Sequence, residues 1–128
     1  MKEKKRDTRL LHKVFILAAV LLLAGCAATY RTVSFKINSA PEGAFVVYRL
    51  SGPEIGLAPE WIYLGNTPLN AVRQLHEDFF DPENKLSIKV MRSGYVDQER
   101  DWSGEAFWDE LEEYGRILWA PQLFPSAE

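Results

Sequence analysis

The chain has 128 residues, 47% of them hydrophobic and 12% aromatic, with 15 basic and 18 acidic side chains and one cysteine. A lone cysteine excludes an intramolecular disulfide, so stability has to come from packing. The six basic and two acidic residues of positions 1–25 leave nine basic and sixteen acidic in 26–128, about −7 with histidine neutral, which excludes the basic surface that nucleic acid requires.

The chain begins with Lys2, Lys4, Lys5, Arg6, Arg9 and Lys13, followed by an apolar run over 14–23. That order is the plan of a secretory signal. A spanning helix needs about 20 apolar residues, more than this run supplies. Leu23-Ala24-Gly25-Cys26 closes the run with two small residues before the cysteine. The four residues resemble the lipobox of bacterial lipoproteins. The resemblance implies a diacylglycerol on the sulfur of Cys26, cleavage before Cys26, and anchoring in the membrane by acyl chains. It also implies a signal peptide over 1–25 and a short lipidated tether over 26–31. The tether's five residues after Cys26 reach at most about 17 Å. Ala27 stands where an aspartate would favour inner-membrane retention. The expected location is therefore the periplasmic face of the outer membrane in a two-membrane cell, or the outer face of the plasma membrane otherwise. What remains suits one small domain.

From Thr32 the pattern has period two. Val33, Phe35 and Ile37 alternate with Ser34, Lys36 and Asn38, which predicts a strand buried on one face. Pro41-Glu42-Gly43 is a turn signal, and 44–50 reads as a second strand. Positions 51–60 read as a loop and 61–64 as a short strand. Gly65-Asn66-Thr67-Pro68 marks another turn, and 69–75 fits strand or irregular structure. Positions 76–84 read as an acidic, exposed connection. Over 85–92, Leu86, Ile88 and Val90 face one way, and Ser93-Gly94 reads as a tight turn into a return strand over 95–102.

The period then changes. Ser103 is a helix cap with Glu105 in the first turn. Phe107, Leu111, Tyr114 and Leu118 share one helical face, so the expectation is an amphipathic helix over 103–120, weakened by Gly115 and ended by Pro121. The residues from 121 to 128 are expected to be loose.

Pro41-Glu42-Gly43-Ala44, Val47-Tyr48, Gly65-Asn66-Thr67-Pro68-Leu69, the alternating strand and Gly94-Tyr95 occur in that order. The series resembles the PEGA domain, a small β-sandwich module of bacterial and archaeal envelope proteins, over about 32–102. The fold expected is mainly β: a small PEGA-like sandwich with one C-terminal helix. The family implies a structural or binding role, with no catalytic residue and no cofactor to carry over.

Once the leader is set aside, His76 is the only histidine, and no Gly-x-Ser-x-Gly elbow is present, so no enzyme is expected. His76, Asp78, Asp81 and Glu83 have two readings, ligands of a hard cation or a solvated acidic loop with Phe79 and Phe80 tucked onto the sandwich; their spacing does not follow a calcium loop, so the second is expected and no metal is assigned. Trp61, Tyr63, Trp102 and Trp108 have two readings, core filling or stacking on sugar rings of cell-wall glycan. The helix likewise either completes the core or meets an envelope protein partner. The function expected is a membrane-anchored, non-catalytic structural or adaptor lipoprotein. The alternative is a peptidoglycan-binding module.

Overall fold

The computed structural model describes residues 3–24, 29–53 and 60–127. Among these residues a helix, α1 (Glu3–Ala24), precedes seven strands: β1 (Tyr30–Ile37), β2 (Phe45–Ser51), β3 (Ile62–Asn66), β4 (Leu69–His76), β5 (Lys85–Met91), β6 (Gln98–Ser103) and β7 (Ile117–Trp119). A short 3-10 helix, Glu77–Phe80, follows β4, and α2 (Gly104–Tyr114) lies between β6 and β7. The strands form a three-stranded sheet in the order β4-β1-β7 and a four-stranded sheet in the order β3-β2-β5-β6. The domain is mainly β.

Alternation decides which faces meet. Val33, Phe35 and Ile37 of β1 are buried, as are Val46 and Tyr48 of β2 and Leu86, Ile88 and Val90 of β5. All belong to one apolar cluster. Phe35 and Tyr48 stack across the two sheets with ring centroids 6.3 Å apart. Helix α2 fills the side of this core. Phe107 is buried and stacks on both Phe35 and Phe80, at 6.5 and 5.4 Å. The indole of Trp102, also buried, donates to Glu110 and so joins β6 to α2. The helix therefore belongs to the core, although Tyr114 at its end remains exposed.

The helix begins as expected and stops earlier. Ser103 caps it, its hydroxyl accepting from the Ala106 amide at 3.1 Å. Gly104 sits against the backbone of the 3-10 segment, where a Cβ would lie 2.0 Å from the Asp81 carbonyl. Gly115 is not an interior weakness. It is the cap, at φ 70 in the left-handed region that glycine tolerates, and its amide returns to Leu111. The expected helical run to 120 is thus corrected. Residues 117–119 form β7, parallel to β1 with Phe35 opposite Ile117. Burying Ile117 and closing part of the open β1 edge prevails over continuing the helical stripe.

Three further expectations change. The segment 69–75 is a full strand, antiparallel to β1 along its whole length. The Ser93-Gly94 turn forms, with the Tyr95 amide donating to Arg92 at 3.0 Å, but the ladder resumes only at Gln98, opposite Val90. The final residues are not loose. The Ala40 amide donates to Pro121, Leu123 to Ala40, Val96 to Phe124 and Ser126 to Gly94, and Leu123 is buried. This tail ties the end of β1 to the β5–β6 turn, and so one sheet to the other.

Candidate functional site

Gly25 and Cys26, the cleavage and lipidation positions expected from the sequence, lie outside the described residues. Leu23 and Ala24 are the last two positions of α1. The preceding helix carries Leu10, Leu11, Val14, Phe15, Ile16, Leu17, Val20 and Leu21, each 58–79% exposed. Among the described residues no helix is long and apolar enough to cross a membrane.

The turn motifs come together at one end of the domain. The Ala44 amide donates to the Thr67 hydroxyl at 3.0 Å, and the Thr67 and Ser39 hydroxyls are 2.6 Å apart. The Ser39 hydroxyl donates to the Pro41 carbonyl at 2.8 Å. Its proton is used there, so Thr67 donates to Ser39. The chain of bonds runs Ala44 to Thr67 to Ser39 to Pro41. Backbone bonds from Gly43 to Thr67 and from Thr67 to Ala44, both 2.9 Å, close the hub. Ser39 and Thr67 are buried, so each bond satisfies a group that water does not reach. Gly43 has φ 88, and the Ala40-Pro41 and Thr67-Pro68 bonds are cis. Glu42 contributes its carbonyl, which accepts from Arg92 at 2.8 Å. Gly94, at φ 83, accepts from Ser126, and Tyr95 bridges to Pro125 under the Arg92 guanidinium. Pro41, Glu42, Gly43, Ala44, Thr67, Pro68, Gly94 and Tyr95 therefore hold turns together. Gly65 lies within β3, where its neighbour is Leu69.

The acidic connection is more ordered than its composition suggests. His76 caps the 3-10 helix, its Nδ1 3.2 Å from both the Asp78 amide and the Asp78 carboxylate. Phe79 and Phe80 pack on the core, and Asn84 is buried. Among the described residues no three or more His, Cys, Asp or Glu side chains converge as a metal site.

The aromatic candidates separate. Trp102 is core. Trp108 meets Phe80 edge-on at 5.1 Å and lies under the Arg31 guanidinium at 4.2 Å. Trp61 has Arg49 and Lys89 over its ring, each at 4.3 Å. Tyr63 is 55% exposed and faces Phe45, 52% exposed, with centroids 6.3 Å apart. Phe45 was not singled out by the sequence. The signal was parity: in a strand that buries Ala44, Val46 and Tyr48, Phe45 falls on the other face.

Comparison with protein-family models, curated proteins and solved structures finds no match to this chain.

Proposed function

We propose that the chain is a lipid-anchored protein of the bacterial envelope. Residues 1–25 act as a signal peptide removed before Cys26, acyl chains on Cys26 hold the mature protein in the membrane, and the β domain is a non-catalytic structural or adaptor module of PEGA type. The observation that carries this reading is the exposure of the apolar residues of α1 immediately before Leu23-Ala24-Gly25-Cys26. A helix with uncovered apolar residues beside such a sequence suits an export machinery and a lipid surface better than water. Several acyl chains on one residue anchor firmly, since each buried CH₂ contributes about 0.8 kcal/mol. Ala27 favours the periplasmic face of the outer membrane where two membranes exist.

The turn hub supports the domain assignment. It gives the Pro-Glu-Gly-Ala and Gly-x-Thr-Pro segments a shared structural reason, because Thr67 serves Ala44 and Ser39 together. His76, a 3-10 cap beside Asp78, has no nucleophile in its described contacts. A second reading, a module that binds cell-wall glycan, draws on the exposed Phe45–Tyr63 pair.

Intact-mass measurement of the chain isolated from membranes tests the anchor. The expected species starts at Cys26 and carries the mass of diacylglycerol, and Cys26→Ser leaves an uncleaved, unlipidated chain. A Cys26→Ser protein with normal lipid mass overturns the proposal.

A further inference from the structure

The outer face of the four-stranded sheet carries aromatic rings and cations on β2, β3 and β5, with Glu99 and Asp101 along its β6 edge. Phe45 and Val47 of β2 point away from the core, as do Tyr63, opposite Val47 on β3, and Lys89, opposite Val47 on β5. Phe45 and Tyr63 leave about half of each ring in solvent. Lys89 is held over the Trp61 ring, and its cross-strand neighbour on β6 is Glu99, which lies 3.9 Å from Arg49; among the described residues no carboxylate is within ion-pair distance of the Lys89 ammonium. Lys85, further along β5, pairs with Asp101 at 3.6 Å. Two cations, Arg49 and Lys89, thus share the Glu99 carboxylate beside two half-exposed rings, one of which, Tyr63, donates its hydroxyl to Asn66.

We infer that this face binds peptidoglycan, with Phe45 and Tyr63 stacking on sugar rings and the Lys89 ammonium meeting carboxylates of the stem peptides. The inference rests on the envelope location proposed above, where that polymer is found. Size selects the ligand. A large aromatic side chain offers about 150–250 Å², so two half-exposed rings present roughly 200 Å². A stable protein partner needs about 800 Å² on each side. A sugar ring does not. Its C–H face is weakly positive and meets the electron-rich face of an aromatic ring. A repeating polymer then gains strength from many equivalent weak contacts, as multivalency allows. Charge selects among glycans. Arg49 and Lys89 share the Glu99 carboxylate, so Lys89 keeps charge that a ligand carboxylate can meet with a charge-assisted hydrogen bond. Trp61 is a positioning residue here: Arg49 and Lys89 both lie over its ring, and it holds Lys89 in place.

Sedimentation of the full chain, purified in detergent, with isolated peptidoglycan sacculi tests this. The wild type is expected to co-sediment saturably. Phe45→Ala/Tyr63→Ala is expected to weaken binding by about tenfold or more, equivalent to about 1.4 kcal/mol. Lys89→Glu should weaken it by about threefold or more, and raised salt should weaken the wild type more than this variant. Asn70→Ala/Val72→Ala, on the outer face of the other sheet, should bind as the wild type does. Intact mass of the same preparations reports the lipid on Cys26 separately. Saturable, residue-dependent binding by a chain without lipid supports the surface and overturns only the anchor. Absent binding by a lipidated chain, or binding undiminished in both the Phe45/Tyr63 and Lys89 variants, overturns the surface.

Discussion

Facing outward from β1 and β4 are Thr32, Ser34, Lys36, Asn70, Val72 and Gln74, while β2, β3 and β5 turn out Phe45, Val47, Arg49, Tyr63 and Lys89. Inward, both sheets present the same chemistry of Val, Ile, Leu and aromatic rings to one core. The inner faces are alike because each must exclude water from the other. The outer faces have no such obligation, and their difference locates where recognition has room to develop. On the β4–β1–β7 side the surface is mostly hydroxyl, amide and aliphatic. On the other side half-exposed rings lie beside Arg49 and Lys89, which share the Glu99 carboxylate.

The contrast depends on a single body beneath both faces, and its largest test is Phe107. This buried ring touches β1 through Phe35 and the 3-10 segment through Phe80. Phe107→Ala is expected to cost about 3–5 kcal/mol, read as a lower urea midpoint with one cooperative transition. Amide protection lost from one sheet and kept in the other would show that the sheets are separate units and break the comparison. Leu123→Ala probes the tail that ties the sheets together. Burial at 2% exposure sets the expected loss at about 2–4 kcal/mol, whereas a loose tail would give no change in the melt.

Thr67 tests the hub where the two sheets exchange strands. Thr67→Val keeps the volume and removes the hydroxyl, leaving the Ala44 amide without its acceptor and the Ser39 oxygen without its donor, while Ser39 keeps its bond to Pro41. The expected cost is about 1–3 kcal/mol, and Thr67→Ser should recover most of it. Equal stability for valine and serine would mean that the hydroxyl contributes nothing. The smallest effects sharpen the comparison most. Phe45→Ala and Val72→Ala, one from each outer face, should each change stability by about 1 kcal/mol or less, since both side chains are about half exposed. Only the first is expected to lower sedimentation with peptidoglycan. Equal behaviour of the two would erase the distinction between the faces.

Much of the β pattern was legible because its cause is local. Val33, Phe35 and Ile37 alternate, and so do Leu86, Ile88 and Val90, since side chains on a strand point to opposite faces. The Ser103 cap was legible for the same reason. The turn after β5 was legible at Ser93-Gly94, but not the delay of β6 to Gln98. Tyr95 instead bridges to Pro125, a contact thirty positions away in the chain. The end of α2 was misread because Phe107, Leu111, Tyr114 and Leu118 fit one helical stripe, and nothing local reveals that the β1 edge at Phe35–Ile37 needs a partner. Of the aromatic candidates, Tyr63 was legible as an aromatic residue, yet its exposure beside Phe45 depends on the pairing of β2 with β3. Trp102 and Tyr63 look alike in sequence and differ only in which side of the sheet they occupy.

The sequence by itself determined the order of basic start, apolar run, Leu-Ala-Gly-Cys and β-rich domain, together with the turns and the faces that had to be buried. Those follow from composition and from periods of a few residues. The tertiary structure decided which turns share one hydrogen-bonded hub, that 117–119 leaves the helix to become a strand, that the tail clasps both sheets, and which aromatic rings remain outside. Each of these depends on a partner far along the chain, and the strength of a hydrogen bond or a packed ring depends on that partner being in place.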